Sequence, residues 1–227
     1  SPCVVDRTAK LELAAKRIAF GKLLNCGQTC VAPDYILVER SVKDEFLVYL
    51  KKWIVRMYGA DATENDAYVK MINQKHFDRV TGLIDPKKVV FGGGRNERMM
   101  QIQPTILDDV TAEDAVMQEE IFGPIFPILP VDSMAEAEEF IRKREKPLAL
   151  YLFTQNKALA ERFLRYVPFG GGCINDTIIH LATSRMGFGG VGGSGMGSYH
   201  GKKSFETFSH EKSIVNKHTW MDLPVRY

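Results

Sequence analysis

Leu148-Ala149-Leu150-Tyr151-Leu152-Phe153 is an almost wholly apolar run of strand length. A strand with one face in water alternates apolar and polar residues, whereas a strand covered on both faces does not. The run therefore predicts a mostly parallel sheet with helices on either side. Tyr35-Ile36-Leu37-Val38 and Val89-Val90-Phe91 read the same way, and Cys173-Ile174-Asn175-Asp176-Thr177-Ile178-Ile179 is expected to return as a strand. Met100 to Leu107 is expected to be extended, with Pro104 marking an edge or an exit.

Helical patterns fill the intervals. Leu11, Ala14, Ala15, Ile18, Ala19 and Leu23 recur at helical spacing, and the run gives out near Asn25-Cys26-Gly27. Ser41-Val42-Lys43-Asp44 is a capping signature before Phe46, Leu50, Trp53, Ile54 and Met57. A further helix is expected from Gln74 to Ile84, another is capped by Ser133-Met134-Ala135-Glu136, and Asn156 opens one through Phe163 and Leu164. Strands alternating with helices define the α/β class, and no repeat or low-complexity linker divides the chain. From Ser204 to Lys217 the pattern changes: Phe205, Phe208, Ile214 and Val215 stand among charged residues without a helical period. This predicts a peripheral strand that pairs with another domain or subunit.

Composition narrows the function. The 227 residues are 45% apolar and 26% charged with a net charge of +2, the balance of a soluble globular protein. No long Lys/Arg run exists, so nucleic acid is a poor partner. Four cysteines (Cys3, Cys26, Cys30, Cys173), irregularly spaced, make no disulfide framework and no zinc pattern, and reduced thiols in a cytoplasmic setting are the simpler expectation. The five histidines show no metal-binding spacing. No apolar run approaches the ~20 residues needed to span a bilayer. Ser1-Pro2-Cys3-Val4-Val5-Asp6 reads as the interior of a strand and its exit, so the chain is expected to be a piece of a longer one.

Three segments carry chemistry. Gly27-Gln28-Thr29-Cys30 presents one thiol on a small-residue turn after a helix. Only a thiolate attacks carbon well, and backbone N–H groups stabilise both the charged sulfur and the oxyanion it creates. Glu119-Glu120-Ile121-Phe122-Gly123-Pro124 sets two carboxylates and an aromatic ring on a turn; one carboxylate can accept both hydroxyls of a ribose, and the ring can support a nicotinamide face. Gly187-Phe188-Gly189-Gly190-Val191-Gly192-Gly193-Ser194-Gly195-Met196-Gly197 contains G-x-G-x-x-G but lacks the flanking strand and helix of a dinucleotide cradle, so it is expected to be a flexible loop. His200 borders that loop and is a candidate base for Cys30. Cys26 is a space-filling residue by expectation.

Together these segments, with Gln103-Pro104-Thr105-Ile106-Leu107 and Tyr199-His200-Gly201-Lys202 before Ser204-Phe205-Glu206-Thr207-Phe208-Ser209-His210, closely resemble the class 3 branch of the aldehyde dehydrogenase superfamily. The motifs occur in family order over nearly the whole chain. The resemblance implies a catalytic domain over residues 1–203 and a C-terminal oligomerisation strand and tail over 204–227, with the NAD(P)-binding domain absent from this chain. It implies oxidation of an aldehyde to a carboxylic acid with NAD or NADP, through a thiohemiacetal and a thioester on Cys30. Glu120 matches the family's ribose-binding carboxylate, Phe122 its nicotinamide-side aromatic, and Asn175 an Asn near the active site. No metal is implied, and a homodimer is expected of the full-length protein. The family's Glu-Leu-Gly-Gly-Lys motif, which carries the general base, does not occur in the sequence, so the chain alone is expected to be inactive. Met186-Gly187 also departs from the family's Leu-Pro. Two rival readings are a thiol hydrolase or acyltransferase using Cys30 with His200, and a non-catalytic dimerisation module.

Overall fold

A computed structural model describes residues 1–220. Its strands are β1 (Pro2–Val5), β2 (Tyr35–Glu39), β3 (Val89–Phe91), β4 (Arg95–Asn96), β5 (Gln101–Ile102), β6 (Thr105–Leu107), β7 (Ile125–Val131), β8 (Ala149–Phe153) and β9 (Gly171–Ile174). Seven of them form one sheet in the order β3-β6-β7-β2-β1-β8-β9, and β4 with β5 makes a small separate pair. Every neighbouring pair in the large sheet is parallel except β3 with β6. The expected mostly parallel α/β sheet is what the chain forms.

The helices are α1 (Leu11–Leu23), α2 (Lys43–Tyr58), α3 (Gln74–Gly82), α4 (Met134–Arg142), α5 (Lys157–Tyr166) and α6 (Lys202–Thr207). Alternate residues of each strand point to opposite faces, and both faces are dry. Cys3 and Val5 of β1 join Tyr151, Ile18 of α1 and Phe46 of α2 on one side. Val4 joins Leu150, Val80 of α3, Ile141 of α4 and Phe163 of α5 on the other. Burying both faces explains why β8 has no polar alternation. Each buried large side chain of this kind contributes roughly 1.5–3 kcal/mol.

Local chemistry sets the helix starts. The side chains of Asn73, Ser133 and Asn156 accept the N–H groups of His76, Glu136 and Leu159, as caps do. The Ser41 signature fails as a cap: Arg40–Val42 forms a 3-10 turn, and α2 begins after Val42 without a side-chain cap.

Three expectations are corrected. β7 is a central strand that the sequence reading passed over because it holds Pro127 and Pro130. Both prolines are tolerated where the ladders stop. Pro127 precedes the first registered pair with β2, Ile36↔Ile128, and Pro130 lies beyond the last pair with β6, Leu107↔Pro127. The last strand runs from Gly171 to Ile174 rather than to Ile179, because Asn175 and Ile178 take φ values of 59° and 50° that break extension. The expected strand after Ser204 is absent among the described residues. Lys202 and Lys203 instead pair with Glu206 one turn away in α6, and residues 208–218 carry no strand. A strand needs a ladder partner, and this single chain offers that segment none. Residues 221–227 lie outside the described part.

Candidate active site

α1 runs from the carboxyl ends of the strands to their amino ends and delivers Cys30 there. Between the helix and the thiol, Asn25, Cys26 and Gly27 take φ values of 53°, 56° and 74°, three left-handed residues in succession. Such a conformation costs roughly 1–2 kcal/mol for each non-glycine residue, so the turn has to be held by its surroundings. Asn25 Nδ2 donates to the Gln28 carbonyl at 3.0 Å, and Gln28 N–H returns to the Asn25 carbonyl at 3.0 Å. The Gln28 amide donates to the Lys70 carbonyl at 3.1 Å and accepts from Ile72 N–H at 2.9 Å. Cys26 Sγ donates to the Tyr68 hydroxyl at 3.3 Å. Past the thiol, the Tyr151 hydroxyl of β8 donates to the Val31 carbonyl at 2.6 Å. Cys30 thus sits exposed on a turn pinned on both sides, and its backbone N–H makes no hydrogen bond to another described residue.

The acidic loop touches this turn directly. A Cβ on Gly27 would run into the Gly123 carbonyl, so the two backbones are in contact. Asp34 Oδ1 accepts from Ile121 N–H at 3.1 Å. Arg79 of α3 donates to Glu119 Oε1 at 3.0 Å and to the carbonyls of Glu120 and Ile121 at 3.2 and 2.6 Å. Gly123 stays small because Val80 of α3 fills the space beside it.

Cys30 and Glu120 line one open cleft of about 670 Å³, whose wall also includes Asp34, Lys146 and Ser194. Pro2, Tyr35 and Leu148 place it at the amino ends of β1, β2 and β8, whereas open parallel sheets generally bind ligands at the carboxyl ends. Phe122 is 36% exposed with φ of 50°; it follows Glu120 by two residues on the loop but does not itself line the cleft. Gly193 and Ser194 of the glycine-rich loop do line it. That loop carries only a 3-10 turn at Gly192–Ser194, so no phosphate cradle forms.

The electrostatics divide the thiols. Burial pushes the Cys26 thiol up to about 11, and burial raises Cys3 and Cys173 as well. These three therefore stay protonated near neutral pH, and Cys30 is the exposed one. Partial burial, then the neighbouring Asp34, holds the Glu120 carboxyl above its ordinary value.

Two sequence candidates lie elsewhere. Asn175 follows the carboxyl end of β9, at the other end of the strands from the cleft, where its side chain accepts from Thr154 N–H at 2.9 Å and donates to the Thr154 carbonyl at 2.8 Å. The His200 ring stacks on Phe188 and packs edge-on to Tyr199, away from the lining of the Cys30 cleft. A Cys30/His200 dyad does not form. Among the described residues no group of three or more His, Cys, Asp or Glu side chains is arranged to hold a metal ion, and no helix is long and apolar enough to cross a membrane.

Sequence reasoning missed Lys22, Asp34, Arg79 and Tyr151. One signal was available for Lys22: it falls four residues after Ile18, on the apolar stripe of α1, where a lysine is out of place.

The sequence profile of the Aldehyde dehydrogenase family matches residues 1–214. The chain is 50% identical to 4,4'-diaponeurosporen-aldehyde dehydrogenase of Staphylococcus aureus, over 98% of this chain and 49% of that protein. It is 51% identical to the dimeric NADP-preferring aldehyde dehydrogenase of Rattus norvegicus, over 96% of this chain and 48% of that one. A solved structure of Staphylococcus aureus AldH in a substrate-bound state superposes with a TM-score of 0.95 at 50% identity, over 99% of this chain and 50% of that chain. The chain thus spans about half the length of these relatives.

Proposed function

Because the chain belongs to the aldehyde dehydrogenase family, we propose that the whole protein oxidises an aldehyde to a carboxylic acid with NAD or NADP, and that this chain supplies its nucleophile, Cys30. The observation that carries the reading is an exposed thiol sharing one cleft with Glu120. The rat relative's description as dimeric and NADP-preferring supports a homodimer and an NADP site in the parent protein. Residues 1–203 act as the thiol-bearing catalytic domain in this reading, and 204–227 join the subunit interface.

The residues present suit the nicotinamide riboside end of the cofactor. The Glu120 carboxylate on the cleft wall offers two acceptor oxygens to a ribose diol, and Phe122 two residues on offers a ring face. When bound, the nicotinamide takes the hydride. This chain supplies the covalent part of the reaction. The Cys30 thiolate adds to the aldehyde carbon and forms a tetrahedral thiohemiacetal. Its oxyanion meets the unused Cys30 N–H, a donor of a kind worth roughly 3–4 kcal/mol. Loss of hydride leaves a thioester on Cys30, which water hydrolyses to the acid. No Glu-Leu-Gly-Gly-Lys motif occurs in the 227 residues, so the chain by itself does not turn over in this reading.

Reduction of NAD or NADP by the full natural protein with a panel of aldehydes tests the activity; a protein that folds yet reduces neither cofactor with any aldehyde refutes it. Two outcomes are expected of the site itself. Iodoacetamide labels the folded protein at Cys30 first, leaving the buried Cys3 and Cys26 intact until unfolding, as peptide mapping will read. Labelling at Cys173 ahead of Cys30 would remove the case for Cys30. Glu120→Gln raises the cofactor KM about ten- to a hundredfold, the worth of a charged hydrogen bond, while alkylation of Cys30 keeps its native rate.

A further inference from the structure

Lys22 ends α1 with its side chain turned inward, 1% exposed, and its Nζ donates no hydrogen bond to any described residue. A buried ammonium with three unused donors is rare and calls for a reason beyond packing, since an apolar side chain of that volume fills such a place at lower free energy. Its nearest charge is Asp34, with Oδ1 at 3.9 Å. The same oxygen accepts the Ile121 N–H at 3.1 Å. Asp34 therefore stands between the helix that delivers Cys30 and the loop that bears Glu120.

We propose that Lys22 is a positioning residue: its buried ammonium orients Asp34, which fixes the Ile121 N–H and so sets the reach of Glu120 across the cleft from Cys30. The inference rests on the cofactor-binding reading of Glu120 given above.

Charge as well as geometry passes through this pair. The groups facing Lys22 are Asp34, Glu120 and the Cys26 thiol. Those facing Glu120 are Asp34, Lys22 and Arg79. Glu119, Lys143, Arg144, Glu145 and Lys146 complete the charged wall of the cleft. Burial lowers the Lys22 amine from its ordinary value while Asp34 and Glu120 act to keep its proton on. Lys22 in turn opposes the two influences, burial and Asp34, that raise Glu120. Without the ammonium, Asp34 is an uncompensated negative charge beside the ribose carboxylate.

The test is binding of NADPH to the full natural protein without aldehyde, followed by fluorescence across a pH series. The native protein is expected to lose affinity on acidification as Glu120 takes up a proton, and Glu120→Gln to flatten that dependence. Lys22→Met is expected to weaken binding about tenfold at neutral pH, the scale of loss from misplacing a binding group, and to move the acid midpoint to higher pH. A purely structural lysine would weaken binding at every pH and leave the midpoint where it was. Lys22→Arg, which keeps the charge, is expected to restore the native midpoint. If Lys22→Met does not fold, Asp34→Asn takes its place: it keeps an acceptor for Ile121 N–H, removes the repulsion on Glu120, and is expected to move the midpoint to lower pH. A native midpoint in the substituted protein overturns the proposal. Native affinity of Glu120→Gln at all pH values overturns the cofactor-binding reading instead.

Discussion

If Cys30 is the nucleophile as proposed, replacing it by serine is expected to abolish aldehyde oxidation by the full natural protein, lowering kcat by at least about 10⁴-fold, while the unfolding midpoint stays native. Loss of a nucleophile that acts with its activating surroundings removes nearly all of the chemical acceleration. The hydroxyl has the right size but is a far weaker acid and nucleophile than a thiol. Stability is spared because the Cys30 side chain is exposed and holds no hydrogen bond in the fold. NAD(P)H formation and a denaturant melt read the two halves of the expectation. A serine variant retaining more than about one-hundredth of native turnover would mean that the sulfur forms no obligatory covalent bond.

Gly27→Ala is the change expected to damage the architecture of the site most. The new Cβ would meet the Gly123 carbonyl, and the residue would be held at φ of 74°. The left-handed conformation alone costs about 1 kcal/mol or more, and the clash is with backbone, which cannot rotate away. A total loss of about 2–4 kcal/mol in urea unfolding is expected, with slower and less selective alkylation of Cys30. Gly82→Ala is the control. Its Cβ would meet nothing within 4 Å at the end of α3, so that variant stays within about 0.5 kcal/mol of native. A Gly27→Ala protein as stable as the control would show that the turn and the acidic loop are free to separate.

The sequence made the layers readable because burial on both faces of a sheet leaves a trace in single strands. β8 is apolar throughout and β2 is apolar up to its final Glu39, and α1 and α5 carry one-sided stripes. β7 stayed hidden because its two prolines are tolerated only where neighbouring ladders end, a fact about neighbours that Ile125–Val131 does not contain. The segment after Ser204 was expected to pair as a strand with another domain or subunit, and within this single chain its first residues are helical, with Lys202 and Lys203 paired to Glu206.

At the site, Cys30 and Glu120 were legible as residue types, and family resemblance paired them. The means of bringing them together was not legible. The left-handed run at Asn25, Cys26 and Gly27 is imposed by contacts with residues far along the chain, among them Tyr68 and Gly123. Asn175 matched a motif position, and β9 carries it to the end of the strands away from the cleft. Lys22 was missed: its odd place in the helical spacing acquires meaning only beside Asp34.

The location of the cleft has an engineering consequence. Thr154 Oγ1 at the end of β8 donates to Asp6 at 2.6 Å, and Arg40 at the end of β2 meets Asp132 at 2.6 Å, so polar clasps close the rim remote from the thiol. The pleated platform insulates one margin from the other. Epitope tags or reporter insertions grafted beside Gln155 or Ser133 should perturb chemistry less than equally short grafts near Asp34, and a library of permuted chains could open the molecule on that far margin.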